Sequence, residues 1–510
     1  MAETDRVHHD KRHVVVIGAG AAGMFEVTVL EANDVVGGQA TSIPIDQSRY
    51  GAPWMNNGVQ GGSKIFQHTF NFFNQYGYPA QEVELEVAFG KGQDGFWTNC
   101  FPSKLVEKHA SDIKRFGLFL KVIRWTMPIL GIIPISLMLR LFFFSKDFAD
   151  KMVYPLIALF LGTGNQTPHV PAAIVERLFD DPNMKLWDYD SSTLLPNRPT
   201  MYTFDNLHDF YAAWKAGLVD KGVTIRTGVE VTKVLSRSDR GVRIQTRDTA
   251  SGVATEESFD DMVLCVLADD ALRILGDTAS RREKFVLGGA VFYDDITVTH
   301  TDEDYFSKHY ETRFRPKLCA EPRSDDQRRQ IAASEGSGFR PMYYTYSYQE
   351  DPRLIEMSFN CSNYQHQLRH TGAAGAPEHP YRPVYQSIFL NKKLSHMWTI
   401  NGIAEDKIIQ RNWWHQLGHR WQHYVRVVPG MMFIQGKQST LFAGSWTLVN
   451  MHELACVSGI AAAYRLGADY AKFDDFAQDF FVKYLLVSHG VIFSREEKRR
   501  RNGATGGSDA

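Results

Sequence analysis

The sequence predicts an α/β chain: a doubly wound parallel-sheet domain, discontinuous along the chain, with an inserted domain of mixed sheet and helices. Three observations predict it. The apolar run Val14-Val15-Val16-Ile17 feeds a glycine-rich turn, as a buried strand does before a phosphate-binding loop. The uninterrupted apolar run Met262-Val263-Leu264-Cys265-Val266-Leu267 reads as a strand covered on both faces, the habit of parallel sheets. A third apolar stretch, Leu441-Phe442-Ala443, is followed by a small-residue run through Ala461-Ala462-Ala463 that suits a helix lying close to a sheet. A length of 510 residues leaves room for two to four domains.

Residues 1–12 are polar and charged, with no apolar core of a secretory signal; a disordered lead-in and an intracellular, non-secreted protein are expected. Gly18, Gly20 and Gly23 then form G-x-G-x-x-G, with Ala21 inside the turn. The first glycine permits the tight turn, the second lets the backbone approach a pyrophosphate, and the third lets the next helix pack closely. Phe25 to Glu31 already reads as the second strand, ending in an acid suited to ribose hydroxyls. Gly18 and Glu31 are thus only 13 positions apart, where the fingerprint places its acid about 20 residues on. A parallel return needs a crossover of roughly 10–12 residues. The sequence therefore carries both ends of a dinucleotide-binding unit, with the first helix of the Rossmann pattern deleted.

Glu31-Ala32 leads into Gly37-Gly38-Gln39-Ala40-Thr41, and Ile43 to Ile45 alternates like a short strand. Asn57-Gly58-Val59-Gln60 is rich in amides; it is either a cofactor-facing wall or an ordinary turn cluster. Ser63 is placed to cap a helix through Phe66, Phe70, Phe73 and Tyr76. Residues 80–100 read as β structure, 105–160 as helical and 196–203 as a turn-rich connector. Leu207 to Val219 reads as a helix, Val223 to Ile225 and Val229 to Leu235 as strands, and 242–246 with 257–259 as a ladder turning at Ser251-Gly252. Loops are expected at 334–338 and 371–380. In 413–423, His415, His419 and His423 stand four apart on one face of an expected helix. A shared ion and a polar wall or hydrogen-bonded core are the two readings. No acid or cysteine completes a ligand set, and no metal is expected.

Four separated pieces together resemble the flavin-dependent amine oxidase superfamily, which includes the phytoene desaturases and protoporphyrinogen oxidases. They are 18–23, 31–41, 223–268 and 441–463. The resemblance implies an FAD-binding, NAD(P)-binding-like Rossmann domain over 13–65, 205–290 and 430–480, and a substrate domain over 66–204 and 291–429. A C-terminal helix and a disordered basic tail fill 481–510. It implies that Glu31 grips the adenosine ribose, that Gly37, Gly38 and Thr41 line the pyrophosphate, and that Val231 and Val234 meet the adenine through their backbone. It further implies that a block A-G-[DE]-…-E-G-A-x-x-S-G closes over the flavin. Here Gly444 is followed by Ser445 rather than an acid, and Leu454 stands where the family has glycine; Glu453, Ala455, Ser458 and Gly459 match. The expected activity is an FAD-dependent oxidoreductase that oxidises or desaturates an apolar small molecule (lipid-like, isoprenoid or polyketide) by hydride transfer to flavin N5. A flavin-dependent double-bond isomerase and a non-catalytic descendant with impaired FAD binding are the alternatives.

Composition narrows the partners. The 56 basic and 58 acidic residues leave a net charge of −2, against a general nucleic-acid partner. Five scattered cysteines form no C-x-x-C and suit a reducing compartment. Hydrophobic residues make up 44% and aromatics 13%, enough for a large core. The segment 116–145 is strongly apolar, but its uncharged stretch between Arg124 and Arg140 is shorter than the roughly 18–20 residues that span a bilayer. It is either a buried helix pair beside the substrate cavity or a surface that contacts a membrane peripherally. The run Arg495 to Arg501 reads as a solvated basic end.

Overall fold

The computed structural model describes residues 12–18, 26–127, 129–182, 184–336, 338–369 and 381–493. The chain divides into two compact units. One comprises Met1–Val36, Ala216–Gly289 and Arg426–Ala510; the other comprises Gly37–Lys215 and Ala290–Val425.

The first unit is built on a five-stranded parallel sheet. Its strands in chain order are His13–Ile17, Glu26–Glu31, Thr224–Thr227, Asp261–Leu264 and Thr440–Phe442. In space they lie third, second, first, fourth, fifth, the doubly wound order that reverses direction between the first and fourth strands. Val14 to Ile17 and Asp261 to Leu264 are buried, as strands enclosed on both faces must be. The first two strands pair in parallel from His13–Glu26 to Ile17–Leu30. Only residues 18–25 join them, against the dozen or more that parallel neighbours usually need.

Val229–Ser238, Gly241–Asp248 and Ala254–Phe259 form the antiparallel ladder expected from their alternation, turning through 251–252. Helix Arg281–Leu287 starts with a capping box, Ser280 and Glu283 satisfying each other's backbone amides. Helices His452–Leu466 and Asp475–His489 pack through Leu454, Val457, Ala461, Phe480, Phe481 and Leu485. Asp474 caps the second by accepting from the Ala477 amide.

The second unit is organised around a seven-stranded mixed sheet. Its order is Ile408–Leu417, Phe292–His300, Tyr385–Phe389, Ile355–Asn360, Tyr343–Ser347, Val87–Phe89 and Trp97–Thr98. Only the pair of Tyr343–Ser347 with Val87–Phe89 is parallel. Helices Ala110–Trp125, Ile135–Leu141 and Tyr154–Leu161 occupy the region read as helical. Their inner faces bury Ile113, Phe116, Phe119, Ile135 and Met138. Among the described residues no helix is long and apolar enough to cross a membrane.

Three local expectations are corrected. The segment around Trp413-Trp414-His415 is not helical but belongs to the strand Ile408–Leu417, paired along its length with Phe292–His300. Its β-branched and aromatic side chains match a pleated neighbour, and that tertiary pairing overrides the histidine spacing. Ser63 ends the strand Gly61–Ser63 instead of capping the helix Gln67–Gln75, whose N-cap is Phe66. The connector 196–203 carries a strand, Thr200–Thr203, clasped between Gly61–Ser63 and Gln81–Glu84. The helix Leu207–Val219 forms with the expected bounds. The loop 371–380 lies outside the described residues.

Candidate functional site: the carboxyl edge of the parallel sheet

In an open parallel sheet the strand carboxyl ends, at the point where strand order reverses, form a crevice for ligands. Gly18 follows the first strand there and Cys265 follows the fourth. The Cys265 amide donates to Ile17 O at 2.7 Å, and the Gly18 amide donates to Leu30 O at 2.9 Å. Gly18 has φ +89°, and a Cβ there would stand 2.8 Å from Cys265 O. Glycine is thus required both by conformation and by space. Desolvation pushes the Cys265 thiol up to about 12, which favours its neutral form.

Glu31 ends the second strand, opposite Thr227 of the third. It is buried, and its Oε1 accepts from the amide and side chain of Asn33 at 2.9 and 2.8 Å. Asn33 O in turn accepts from the Gly228 amide at 3.0 Å, tying the ends of the second and third strands together. Ala32 is exposed beside them. Val231 is buried in the following ladder opposite Thr246.

At the fifth strand the Ala443 amide donates to Leu264 O at 2.9 Å. Gly444 has φ +137°, and its amide donates to Ser458 Oγ at 2.8 Å. That bond runs from the strand end to the interior of helix His452–Leu466, so the helix is anchored to the strand end. The Ser445 hydroxyl donates to Asn450 Oδ1 at 3.0 Å. Trp446 donates from Nε1 to Val266 O at 2.9 Å, closing the fourth strand's end. Glu453 is buried, Ala455 is exposed, and Leu454 points into the helix-pair core with Phe481. The first unit therefore gathers Gly18, Glu31 and Gly444 along one sheet edge. Gly20, Ala21 and Gly23 lie outside the described residues.

The remaining residues expected at the site fall in the second unit. Gly37 and Gly38 take φ +114° and +58° in a turn closed by the Ala40 amide on Gly37 O. A Cβ at Gly37 would strike the Tyr211 ring at 2.8 Å. Gln39 is exposed and donates to His415 O at 3.2 Å. The hairpin Ala40–Pro44 with Trp54–Gly58 sets Thr41 beside Asn57 and Ala40 beside Gly58. Gly58, at φ +82°, lies against Gln39 O and the Trp414 ring. Val59 is half-buried.

A buried amide network, which joins Asn57 and Gln60 of the amide-rich stretch to residues distant in sequence, lies next to this hairpin. Asn56 donates from its side chain to Phe204 O and Asp205 O, accepts from Ser42 Oγ at 2.6 Å, and donates from its backbone amide to Gln365 Oε1 at 2.8 Å. Gln365 donates to Gln60 Oε1 at 2.9 Å, Gln386 donates to Asn57 Oδ1 and Thr299 Oγ1, and Asn57 donates to Asn412 Oδ1 at 2.7 Å. The amides of 57–60 are thus engaged by protein partners. Of the three histidines, His415 pairs with Asp294 at 2.7 Å, while His419 bonds the Tyr424 hydroxyl and is held by burial down at about 3.

These features define a class: a chain with a discontinuous doubly wound parallel sheet and an inserted mixed-sheet unit. The same fold is found in solved structures of several proteins. A CLA-producing fatty acid isomerase from P. acnes aligns at TM-score 0.56 and 16% identity, over 90% of this chain and 99% of that one. Wild-type putrescine oxidase bound to putrescine aligns at 0.55 and 13%, over 89% and 98%. Cyclohexylamine oxidase from Brevibacterium oxydans IH-35A aligns at 0.53 and 11%, over 90% and 100%. No family model and no curated protein sequence matches the chain.

Proposed function

We propose that the protein is an FAD-dependent oxidoreductase acting on an apolar substrate. The observation that carries this reading is the third–second–first–fourth–fifth strand order with Gly18, Glu31 and Gly444 at the carboxyl edge. The edge suits a dinucleotide: Gly18 makes the tight turn that follows the first strand, and Glu31 is an acceptor for ribose hydroxyls. Gly444 and Ser445 present a strand end without bulk. Bound FAD would supply the hydride-accepting chemistry, and the chain would supply position and water exclusion. Val231, in the same unit, would meet the adenine.

The apolar segment 116–145, the aromatic content and the fold shared with a fatty acid isomerase favour a lipid-like substrate over a small polar amine such as the putrescine of another neighbour. The isomerase neighbour also favours a second reading, a redox-neutral shift of a double bond within the same class of substrate.

The test is FAD uptake by the purified chain, followed by visible absorbance and quenching of flavin fluorescence. Saturable, one-to-one uptake is expected. Glu31→Ala removes hydrogen bonds to a charged group worth about 1.5–3 kcal/mol, weakening uptake roughly ten- to hundredfold. Absence of uptake at saturating FAD refutes the reading and leaves a non-catalytic descendant. Anaerobic turnover separates the two chemistries: bleaching of the flavin with loss of two hydrogens marks a dehydrogenation, and an unchanged product mass with a moved double bond marks an isomerase.

A further inference from the structure

The surface of the helical segment 113–146 combines two features that most soluble surfaces keep apart. Large apolar side chains stand in water: Trp125 is 82% and Phe143 85% exposed, and Leu118, Ile129, Leu137 and Leu141 are exposed too. On helix Ala110–Trp125, Leu118 and Trp125 are seven positions apart, on the face opposite buried Phe116, Phe119, Leu120 and Ile123. Phe119 packs on Phe142 and Phe144, which sets the end of helix Ile135–Leu141 against the same helix. Arg115 fixes the junction by donating to Phe142 O and Phe143 O at 3.0 and 2.6 Å. Phe143 takes φ +57° there, a costly conformation for an aromatic residue, and the result is a ring held out into solvent.

The second feature is charge. Between Ile113 and Lys146 the sequence has no aspartate or glutamate, although the chain as a whole is slightly acidic. Lys114, Arg115, Lys121, Arg124, Arg140 and Lys146 are all exposed. Arg124 and Arg115 each have an acidic neighbour at 3.7 Å, Asp180 and Asp112, and Lys146 lies near Asp150 and Asp351. Large apolar side chains held in water among basic ones on one segment point to an interaction surface. A second copy of the chain is a poor occupant: an isologous interface would set this basic rim against itself.

We propose that residues 113–146 form a monotopic docking surface for an anionic lipid bilayer. Trp125, Ile129, Leu141 and Phe143 enter the boundary between headgroups and acyl chains, and the lysines and arginines lie on the headgroup phosphates. The segment is too short and too interrupted to span, so it binds one leaflet reversibly. This inference stands independently of the flavin reading, because it concerns surface residues that take no part in the sheet edge.

Flotation of the purified full chain with vesicles tests it, using phosphatidylcholine alone or mixed with phosphatidylglycerol. Binding is expected with the anionic mixture and is expected to fall as salt is raised. Lys114→Gln, Lys121→Gln and Arg140→Gln together should weaken it about a hundredfold, from the usual contribution of a basic side chain at such a surface. Trp125→Ser with Phe143→Ser should abolish it while leaving the melting curve by circular dichroism unchanged, since both rings are already in water. The proposal is overturned if the chain floats with neither lipid, if the serine pair floats like the parent, or if the serine pair instead converts a lipid-free dimer to a monomer.

Discussion

The substitution Gly18→Ala isolates the physical demand at the switch point of the sheet. Two penalties act there. The residue sits at φ +89°, and an L side chain in that region costs about 1–2 kcal/mol. Its Cβ would also stand 2.8 Å from Cys265 O, a backbone atom pinned by the bond from the Cys265 amide to Ile17 O. The strands cannot part without losing the parallel ladder, so the contact adds an overpacking cost of about 1–3 kcal/mol.

Gly222 supplies the matched control within the same unit. It has φ +87°, nearly the same conformation, but a Cβ there meets no atom within 4 Å. Gly222→Ala should therefore lose only the conformational part, about 1–2 kcal/mol. Gly18→Ala should lose roughly 2–5 kcal/mol in all. Urea denaturation of the two variants and the parent, followed by tryptophan fluorescence with m-values compared, measures both. Equal losses for the two variants refute the close approach of Gly18 to the fourth strand, and with it the crevice as described.

Four further outcomes follow from other sites. Arg237 and Glu283 form a buried, bidentate ion pair; Arg237→Ala strands a buried carboxylate and should destabilise by about 3–5 kcal/mol in a denaturant titration. Burial pushes the Glu283 carboxyl up, but hydrogen bonds from Arg237 and Ser280 outweigh it and leave it lowered. Its stabilising contribution is therefore present above the ordinary glutamate range and lost as pH falls through the lowered folded value; a Glu283→Gln variant should differ from the parent at pH 7 and converge with it in acid. Asp295 is buried and raised to about 7 by desolvation, so its unfavourable contribution is absent below the unfolded value, near 3.8, and grows as pH rises to the folded value. Asp295→Asn should gain on the parent by about 1.4 kcal/mol per pH unit between those limits and by no more above them; a pH-independent difference refutes it. Asn56→Ala leaves Ser42 and two backbone carbonyls without their partner and should cost about 2–4 kcal/mol by thermal or urea unfolding, with little change expected at exposed Gln39→Ala.

How much of this was legible in the sequence depended on where the controlling interactions lie. The parallel sheet was legible because a strand buried on both faces leaves a continuous apolar run, as at 14–17 and 262–264, and because glycine is forced at its end. The ladder of 229–259 and the helix Leu207–Val219 were legible for the same reason: local periodicity matched the final environment. The histidine segment was misread because its spacing of four carries no information about a strand partner more than a hundred residues away. Of the amide network only Asn57 and Gln60 stood out in the sequence, and nothing tied them to the other members. Ser42, Asn56, Gln60, Gln365 and Gln386 have no common spacing, and each polar side chain alone reads as solvated. Only the fold shows that they satisfy one another.

The short link between the first two strands bears on how the site can work. Their register is complete from His13 to Ile17 although only residues 18–25 connect them. The pairing is secured from elsewhere: the first strand is bonded on its other side to the fourth, and the second to the third, with Asn33 and Gly228 locking the outer edge. Strand order is therefore a property of the whole sheet and survives a change in a single crossover. Binding of a pyrophosphate is different, since it draws on the amides of the turn and of the helix that follows it. A chain that keeps Glu31 and Gly444 in place while shortening that crossover separates the two requirements. It should hold the adenosine end of FAD more nearly intact than the pyrophosphate. Adenosine and FAD affinities measured side by side would show this as a gain from adenosine to FAD far smaller than a full pyrophosphate site provides. A large gain refutes this separation of the two requirements.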